Sequence, residues 1–141
     1  MNISAKTEYA CIAVLELAKN ASSAEPLRVR DIAETHGIPS RFLVQILLQL
    51  KGAGIVSSTR GASGGYRLVE KPETISLYRV MSVIEGSQPV ESNLKEVTPS
   101  SRVLNLAWKS IHESSIQKLE EITFEELVAD VNSQPETMYY I

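Results

Sequence analysis

Residues 4–18 form the first helix that the pattern of apolar positions predicts. Ser4 has a hydroxyl suited to capping its start, and helix-favouring Ala, Leu, Glu and Lys dominate the run. Residues 9–15 carry no charge and are apolar or small on every side of the helix. Because such a helix is buried on more than one side, we expect a partner subunit to cover part of it.

Two shorter helices are predicted next, joined by a tight turn. Residues 29–36 place Val29, Ile32 and Ala33 on one face, and Gly37 is suited to end the helix. The second begins at Pro39–Ser40, where proline suits a first turn and Ser40 can cap. Its apolar residues follow an i, i+3, i+4, i+7 spacing and are Leu43, Ile46, Leu47 and Leu50. This pair predicts a helix-turn-helix.

A β-hairpin is predicted directly after the helix-turn-helix. Residues 55–60 and 66–69 are rich in β-branched and aromatic side chains, and the glycine-rich run GASGG at 61–65 separates them. A hairpin in this position is a wing. The two motifs together are more specific than either alone.

The C-terminal half is predicted to be helical. A helix over 77–84 ends at Gly86, a polar loop follows over 87–100, and a long helix spans 101–121. Apolar residues recur along the long helix at spacings of four and three, interrupted once by Ser115. This coiled-coil-like seam, a predicted dimerisation face, consists of Leu104, Trp108, Ile111, Leu119 and Ile122. Thr123 and Glu126 can form the capping box of a last short helix.

The predicted fold is therefore mainly α with a small β-hairpin. A winged helix-turn-helix occupies residues 1–86, followed by the loop 87–100. The dimerisation helix and the short terminal helix occupy 101–131, and residues 132–141 form a tail.

Length and composition suit one globular domain, or one domain with an appended oligomerisation element. The chain has 141 residues, of which 43% are hydrophobic and 22% charged. No apolar run approaches the ~20 residues of a membrane span, and the start has no signal-peptide pattern. The single cysteine, Cys11, cannot form an internal disulfide. We expect a cytoplasmic protein without a membrane partner.

Charge is divided unevenly along the chain. The net charge is −3, yet residues 28–67 contain six basic and two acidic side chains. Residues 71–141 contain six basic and eleven acidic ones. A basic central region beside an acidic second half is typical of a polyanion-binding surface joined to a part that does not touch the polyanion, although ordinary scatter gives the same counts.

The face of the third helix opposite its apolar side has the residues that read DNA bases. Arg41 can pair with guanine, Gln45 with adenine, and Val44 can meet a thymine methyl group. Ser40 and the free N–H groups of the first turn can hold a phosphate. For Arg41 alone a solvated helix face is the favoured explanation, but Val44 and Leu48 are apolar where such a face is polar.

The wing supplies the second set of predicted DNA contacts. Arg60 precedes a loop of small residues, which let a backbone approach another surface closely, and arginine is favoured in a narrow minor groove. The predicted wing contacts are Arg60, Gly61, Ser63, Gly64, Gly65 and Tyr66. We also expect Lys6 and Arg28 to contact phosphates. A plain surface hairpin remains the alternative.

Catalysis and metal binding find little support. His36 and His112 lie far apart in sequence, no nucleophile–base arrangement is evident, and no Gly-Lys-Ser/Thr follows the glycine loop. Cys11 lies in an apolar helix and is interpreted as a core residue. We expect no enzyme activity, no metal and no cofactor.

The chain resembles the Rrf2 family of bacterial winged-helix transcriptional regulators from residue 3 to about 131. The matching segments are SAKTEYA (4–10), DIAE (31–34), GIPSRFL (37–43), LKGAGIV (50–56), RGASGGYRL (60–68), ISL (75–77), IEG (84–86) and ITFEEL (122–127). The resemblance implies a homodimer that binds a near-palindromic operator. It also implies that the long helix crosses to the first helix of the partner.

The sequence departs from the family pattern at the residues that bind the sensing cofactor in other members. Members that sense iron or nitric oxide hold an iron–sulfur cluster through three cysteines between the fourth helix and the long helix. Residues 86–108 contain no cysteine. Arg102 stands at the last cysteine position, Asn105 at a histidine ligand and Glu8 at an aspartate ligand. Val44 replaces a frequent glutamate, which implies a different operator sequence. We therefore expect a cluster-free member with an unknown effector.

Two alternatives stay open at this point. A protein-interaction module can use the same scaffold through Val44 and Leu48. A small-molecule-responsive regulator can use a pocket under the loop at residues 87–100. The prediction favoured by the residues is a homodimeric, sequence-specific DNA-binding regulator that acts as a repressor.

Overall fold

The computed structural model describes residues 2–135, and this part of the chain forms six α-helices and one two-stranded antiparallel sheet. The elements in chain order are α1 (Ala5–Lys19), α2 (Val29–His36), α3 (Ser40–Gly52), β1 (Val56–Thr59), β2 (Gly65–Leu68), α4 (Leu77–Glu85), α5 (Pro99–Glu121) and α6 (Phe124–Asn132), with a 3-10 turn at Pro72–Thr74 between β2 and α4. The predicted mainly helical fold with a hairpin is confirmed. Most of the predicted tail lies outside the described residues.

The helix ends explain why the chain folds into these elements. The Ser4 hydroxyl accepts a hydrogen bond from the Thr7 backbone N–H at 3.1 Å, as predicted for a cap of α1. Gly37 ends α2 with φ 66° and ψ 31°, the left-handed conformation that glycine adopts at low cost. Thr123 caps α6 by accepting from the Glu126 backbone N–H at 3.2 Å.

The predicted cap of α3 is wrong by one residue. Pro39 occupies the capping position with φ −59° and ψ 126°, and no side chain caps this helix. Ser40 is already helical, so its hydroxyl lies one position too far along the chain to cap. The Pro39 carbonyl accepts from the N–H groups of Phe42 and Leu43 at 3.1 and 3.2 Å and begins the helix.

The hydrophobic core lies between α1, α3, α4 and α6. The amphipathic pattern of α3 is confirmed, because its four predicted core residues are all buried. The largest fully buried side chains include Phe124, Leu17, Leu43, Leu50 and Ile75. Burial of these side chains fixes α1 and α3 against each other.

Helix α6 packs on this core. The Leu77 N–H donates to the Ile122 carbonyl at 2.9 Å, and the Phe124 N–H donates to the Ile75 carbonyl at 3.0 Å. Ile122 therefore lies just after α5, and its backbone is hydrogen-bonded to the start of α4. It was predicted as part of the dimerisation face. The fully buried Phe124 ring packs into the core at this point.

Helix α5 stands apart from the core. None of its 23 residues is buried, and Leu104, Trp108 and Ile111 are each more than half exposed. At 1.5 Å per residue the helix is about 35 Å long. Among residues 2–135, no helix has the length and apolar character that crossing a membrane requires.

Candidate nucleic-acid interface

The recognition surface of α3 is the face turned away from the core. Ser40, Arg41, Val44, Gln45 and Leu48 are all exposed on it, as the helical pattern predicts. Val44 and Leu48 are 39% and 54% exposed, so two apolar side chains lie among the polar ones. Apolar groups at such positions can contact thymine methyl groups, whereas Arg41 and Gln45 have the donors that read purines.

A third apolar side chain, Phe42, belongs to the same surface. Its ring is 45% exposed, and the guanidinium carbon of Arg41 lies 5.1 Å from the ring centroid. This distance is within the range of a cation–π contact. The sequence prediction missed Phe42. The reasoning applied to Val44 and Leu48 could have found it, because position 42 is also off the core face.

A groove between the start of α1 and α3 brings Lys6 close to the recognition surface. It has a volume of about 420 Å³ and is lined by Ala5, Lys6, Tyr9, Phe42, Gln45 and Ile46. Lys6 and Gln45, predicted independently, therefore face the same space. An ammonium group beside the amide that is predicted to read a base is suited to contact a neighbouring phosphate.

The wing is the hairpin β1–β2 with its loop at residues 60–64. Val56 pairs with Leu68, and Thr59 pairs with Gly65 at the distal end. The Lys51 ammonium of α3 donates to the Ser58 hydroxyl at 2.7 Å, which ties the recognition helix to the first strand. Arg60, Gly61 and Ser63 are exposed at the distal end of the hairpin, where a ligand can reach them.

Gly64 and Gly65 lie where a side chain would clash with the backbone of the protein. Gly64 is buried, and a Cβ there would lie 2.2 Å from the Thr59 carbonyl oxygen. Gly65 has φ +153°, and a Cβ there would lie 2.3 Å from the Leu27 carbonyl oxygen. The surface that these glycines approach closely is the backbone of the protein itself. Their absent side chains permit the turn, and a DNA contact by either stays a prediction.

Leu27 extends the hairpin on its second strand. The Leu27 N–H donates to the Tyr66 carbonyl at 2.9 Å, and the Tyr66 N–H donates to the Leu27 carbonyl at 2.7 Å. This bridge places the backbone of Arg28 beside Gly65, so the exposed Arg28 lies at the wing. The Tyr66 side chain is half-buried and packs against the core. No pattern in the sequence around Leu27 predicts that its backbone pairs with the hairpin.

The predicted phosphate-binding cations are not paired with carboxylates in the described part of the chain. Among residues 2–135, Lys6, Arg28 and Arg60 form no ion pair with a carboxylate. Most other lysines and arginines of this part of the chain are likewise unpaired, and the exceptions are Lys19, Arg30 and Arg79. Cations without a carboxylate partner are the ones available to a polyanion.

A carboxylate of α4 holds the start of α1. The Glu85 Oε1 atom accepts from the Thr7 hydroxyl at 2.6 Å and from the Ser4 hydroxyl at 2.7 Å. These hydrogen bonds lower the pKa of Glu85. Because Thr7 is fully buried, the contact fixes the first turn of α1, in which Lys6 lies.

The donor set for an iron–sulfur cluster is absent from this chain. Such clusters need several thiolates, and Cys11 is the single cysteine. Burial and the nearby charge of Glu85 raise the pKa of its thiol to about 11, which disfavours the thiolate. Within residues 2–135, no three His, Cys, Asp or Glu side chains cluster closely enough to hold a metal ion. The residues present do not fit a cluster.

Comparison with known protein families gives one match over most of the chain. The family model described as "Rrf2: Iron-dependent Transcriptional regulator" matches residues 3–130. The HTH-type transcriptional regulator CymR of Bacillus subtilis is 34% identical over the full length of both proteins. The HTH-type transcriptional regulator IscR of Vibrio vulnificus is 32% identical, with 92% of this chain and 79% of that protein covered.

Solved structures have the same fold. The structure of CymR, the global cysteine regulator of B. subtilis, superposes with a TM-score of 0.81 at 32% identity and covers 92% of this chain and 97% of that one. The structure of T. potens IscR gives a TM-score of 0.77 at 26% identity and covers 100% and 97%. The exposed face of α3 and the wing therefore belong to a known winged-helix architecture.

Proposed function

Because the chain belongs to the Rrf2 family of transcriptional regulators, we propose that it represses transcription as a homodimer bound to a near-palindromic operator. It is a DNA-binding transcriptional regulator, as the sequence predicts. The observation that carries the proposal is the shared exposure of the α3 face and the wing tip, with cations that form no ion pair in the described chain.

The recognition helix enters the major groove in this proposal. Arg41 donates two hydrogen bonds to a guanine, Gln45 pairs with an adenine, and Val44 meets a thymine methyl group. Ser40 holds a phosphate at the start of α3. The exposure of all four side chains supports these roles.

The wing reaches the adjacent minor groove. Arg60 enters the groove, where the negative potential is strongest, while Gly61 and Ser63 follow the backbone. Lys6 and Arg28 contact phosphates on either side of the recognition helix. The groove that Lys6 shares with Gln45, and the bridge that brings Arg28 to the wing, support this arrangement.

A second copy of the chain covers the exposed apolar face of α5. Leu104, Trp108 and Ile111 are 57%, 57% and 58% exposed, and a helix in water does not keep such a stripe uncovered. In this dimer the apolar face of α5 packs on the half-buried side of α1 in the other copy. Two recognition helices then bind half-sites about one helical turn, or ~34 Å, apart.

The wing assignment is tested by equilibrium binding to a duplex that the purified protein selects from a randomised library. We expect Arg60→Ala to weaken binding and to reduce the slope of log affinity against log salt by about one per contact. Lys19→Ala is the matched control, since it removes the same charge from a residue already paired with Glu16. Unchanged affinity and slope for Arg60→Ala at moderate salt would refute the wing contact.

The dimer is tested by sedimentation velocity at micromolar concentration. We expect a dimer for the wild type and a monomer for Ile111→Asp, because a charge cannot be buried unpaired at an interface. Gln117→Asp introduces the same charge at an exposed position of α5 outside the apolar stripe and should remain dimeric. A wild type that sediments as a stable monomer contradicts the proposal.

A small-molecule-responsive regulator is the second candidate, and a groove favours it. The groove has a volume of about 410 Å³, lies between α4 and α5, and includes Tyr78, Met81, Trp108 and His112 in its lining. Trp108 is the single tryptophan of the chain, so its fluorescence reports directly on this space. A metabolite that quenches the emission and raises the melting temperature would support this candidate.

A further inference from the structure

Of the two phenylalanines in the chain, Phe42 is the one that is not buried in the core. Phe124 is fully buried, whereas Phe42 is 45% exposed on the recognition face of α3. Its neighbour Leu43 supplies the core contact at this turn of the helix. An exposed aromatic ring within a DNA-facing surface therefore needs a function other than packing.

The ring is held at the start of α3. The Phe42 N–H donates to the Pro39 carbonyl at 3.1 Å, and this bond fixes the backbone of the first turn. The ring also lines the groove that contains Lys6 and Gln45. The ring therefore lies at the helix start, in a groove that two residues of the proposed interface also line.

The contact with Arg41 leaves the hydrogen-bonding edge of that residue free. The guanidinium carbon of Arg41 lies over the Phe42 ring, 5.1 Å from its centroid, and a cation–π contact uses none of the N–H donors for a hydrogen bond. Among residues 2–135 the Arg41 side chain forms no ion pair, so its N–H groups remain available for a bidentate contact. An arginine without such a contact samples many rotamers and loses more freedom when it binds a base.

We propose that Phe42 is a positioning residue that holds the Arg41 guanidinium for guanine recognition and so sets base specificity. The inference rests on the proposed function, because it requires Arg41 to read a base. Phe42 acts through Arg41 and makes no base-specific contact of its own.

The test is a double-mutant cycle read out as base discrimination. The probes are the duplex selected by the wild type from a randomised library and the same duplex with single base-pair changes at each G·C position. We expect Phe42→Leu to reduce the preference for one G·C pair about twofold to fivefold, the strength of an exposed cation–π contact. Binding to random duplex and the salt slope should not change. Phe42→Tyr keeps the ring and should keep the preference.

The Arg41→Ala background separates positioning from direct contact. We expect Phe42→Leu to have no further effect there, since the residue through which it acts is gone. If the effect persists, Phe42 contacts the DNA itself and the inference is overturned. An equal loss on every duplex indicates a structural role and also overturns it. Phe42→Met is the second variant if the leucine variant melts at a lower temperature.

Failure of this inference is distinct from failure of the proposed function. A wild type that selects no sequence refutes the proposed function and the inference together. A wild type that selects a sequence, with Phe42→Leu as discriminating as the wild type, refutes only the role of Phe42.

Discussion

Replacing Gly65 by alanine should disrupt the base of the wing. The new Cβ would lie 2.3 Å from the Leu27 carbonyl oxygen and 2.7 Å from its carbon, and both are backbone atoms. Ordinary contacts of this kind are at least about 1 Å longer. The backbone of Leu27 must therefore move away, and its two hydrogen bonds with Tyr66, at 2.9 and 2.7 Å, must lengthen or break.

The size of the effect follows from these contacts. Two backbone hydrogen bonds contribute about 1 kcal/mol each. An alanine at φ +153°, a value that glycine tolerates, adds about 1 kcal/mol of strain. The sum is about 3 kcal/mol, which corresponds to an increase of about 100-fold in the local opening equilibrium.

Hydrogen exchange of the Leu27 and Tyr66 amides measures this opening. We expect both amides to exchange about 100-fold faster in Gly65→Ala, with weaker binding of the selected duplex. Gly61→Ala is one control, because its φ is +103° but its Cβ would meet nothing within 4 Å, so only strain of about 1 kcal/mol remains. Gly52→Ala lies in α3 without a clash and should stabilise the protein by about 0.5 kcal/mol. Exchange rates for Gly65→Ala within threefold of the wild type would refute this reasoning.

Three further predictions follow from buried or hydrogen-bonded groups. Because the hydroxyls of Thr7 and Ser4 lower the pKa of Glu85, its stabilising contribution is complete above the ordinary carboxyl pKa of 4.5 and is lost as the pH falls through the lowered value. Thermal melts from pH 7 to pH 3 should therefore show Glu85→Gln approaching the wild type in acid; a constant difference contradicts this. Leu43→Ala should cost about 2–5 kcal/mol in urea unfolding, and a loss below 1 kcal/mol would place Leu43 outside the core. With its thiol pKa raised to about 11, Cys11 should react with iodoacetamide much more slowly in the native protein at pH 8 than in urea, and equal rates would refute the raised pKa.

The helices and the wing were predictable because their signals are local. The spacing of Leu43, Ile46, Leu47 and Leu50 specifies which face of α3 is buried, and the structure buries all four. Ser4, Gly37 and Thr123 act as helix caps where their chemistry predicts. Ser40 was misassigned because Pro39 and Ser40 are both suited to a helix start, and the pattern does not distinguish one register from the next.

The remaining features depend on contacts between distant parts of the chain. The pairing of Leu27 with Tyr66, the close approach that demands Gly65, and the hydrogen bonds from Thr7 to Glu85 join residues about 40 to 80 positions apart. Neither partner has a sequence pattern that identifies the other. Phe42 was missed for a different reason, since aromatic side chains in helices are usually assigned to the core.

Hydrogen–deuterium exchange of the full-length protein with and without the selected duplex tests the central claim, that the α3 face and the wing form the DNA-binding surface. We predict slower exchange on DNA addition in peptides that contain the start of α3 at Ser40–Gln45 and the wing tip at Arg60–Ser63, with little change in α6. Protection confined to α5 around Leu104–Ile111, with α3 and the wing unchanged, would contradict it.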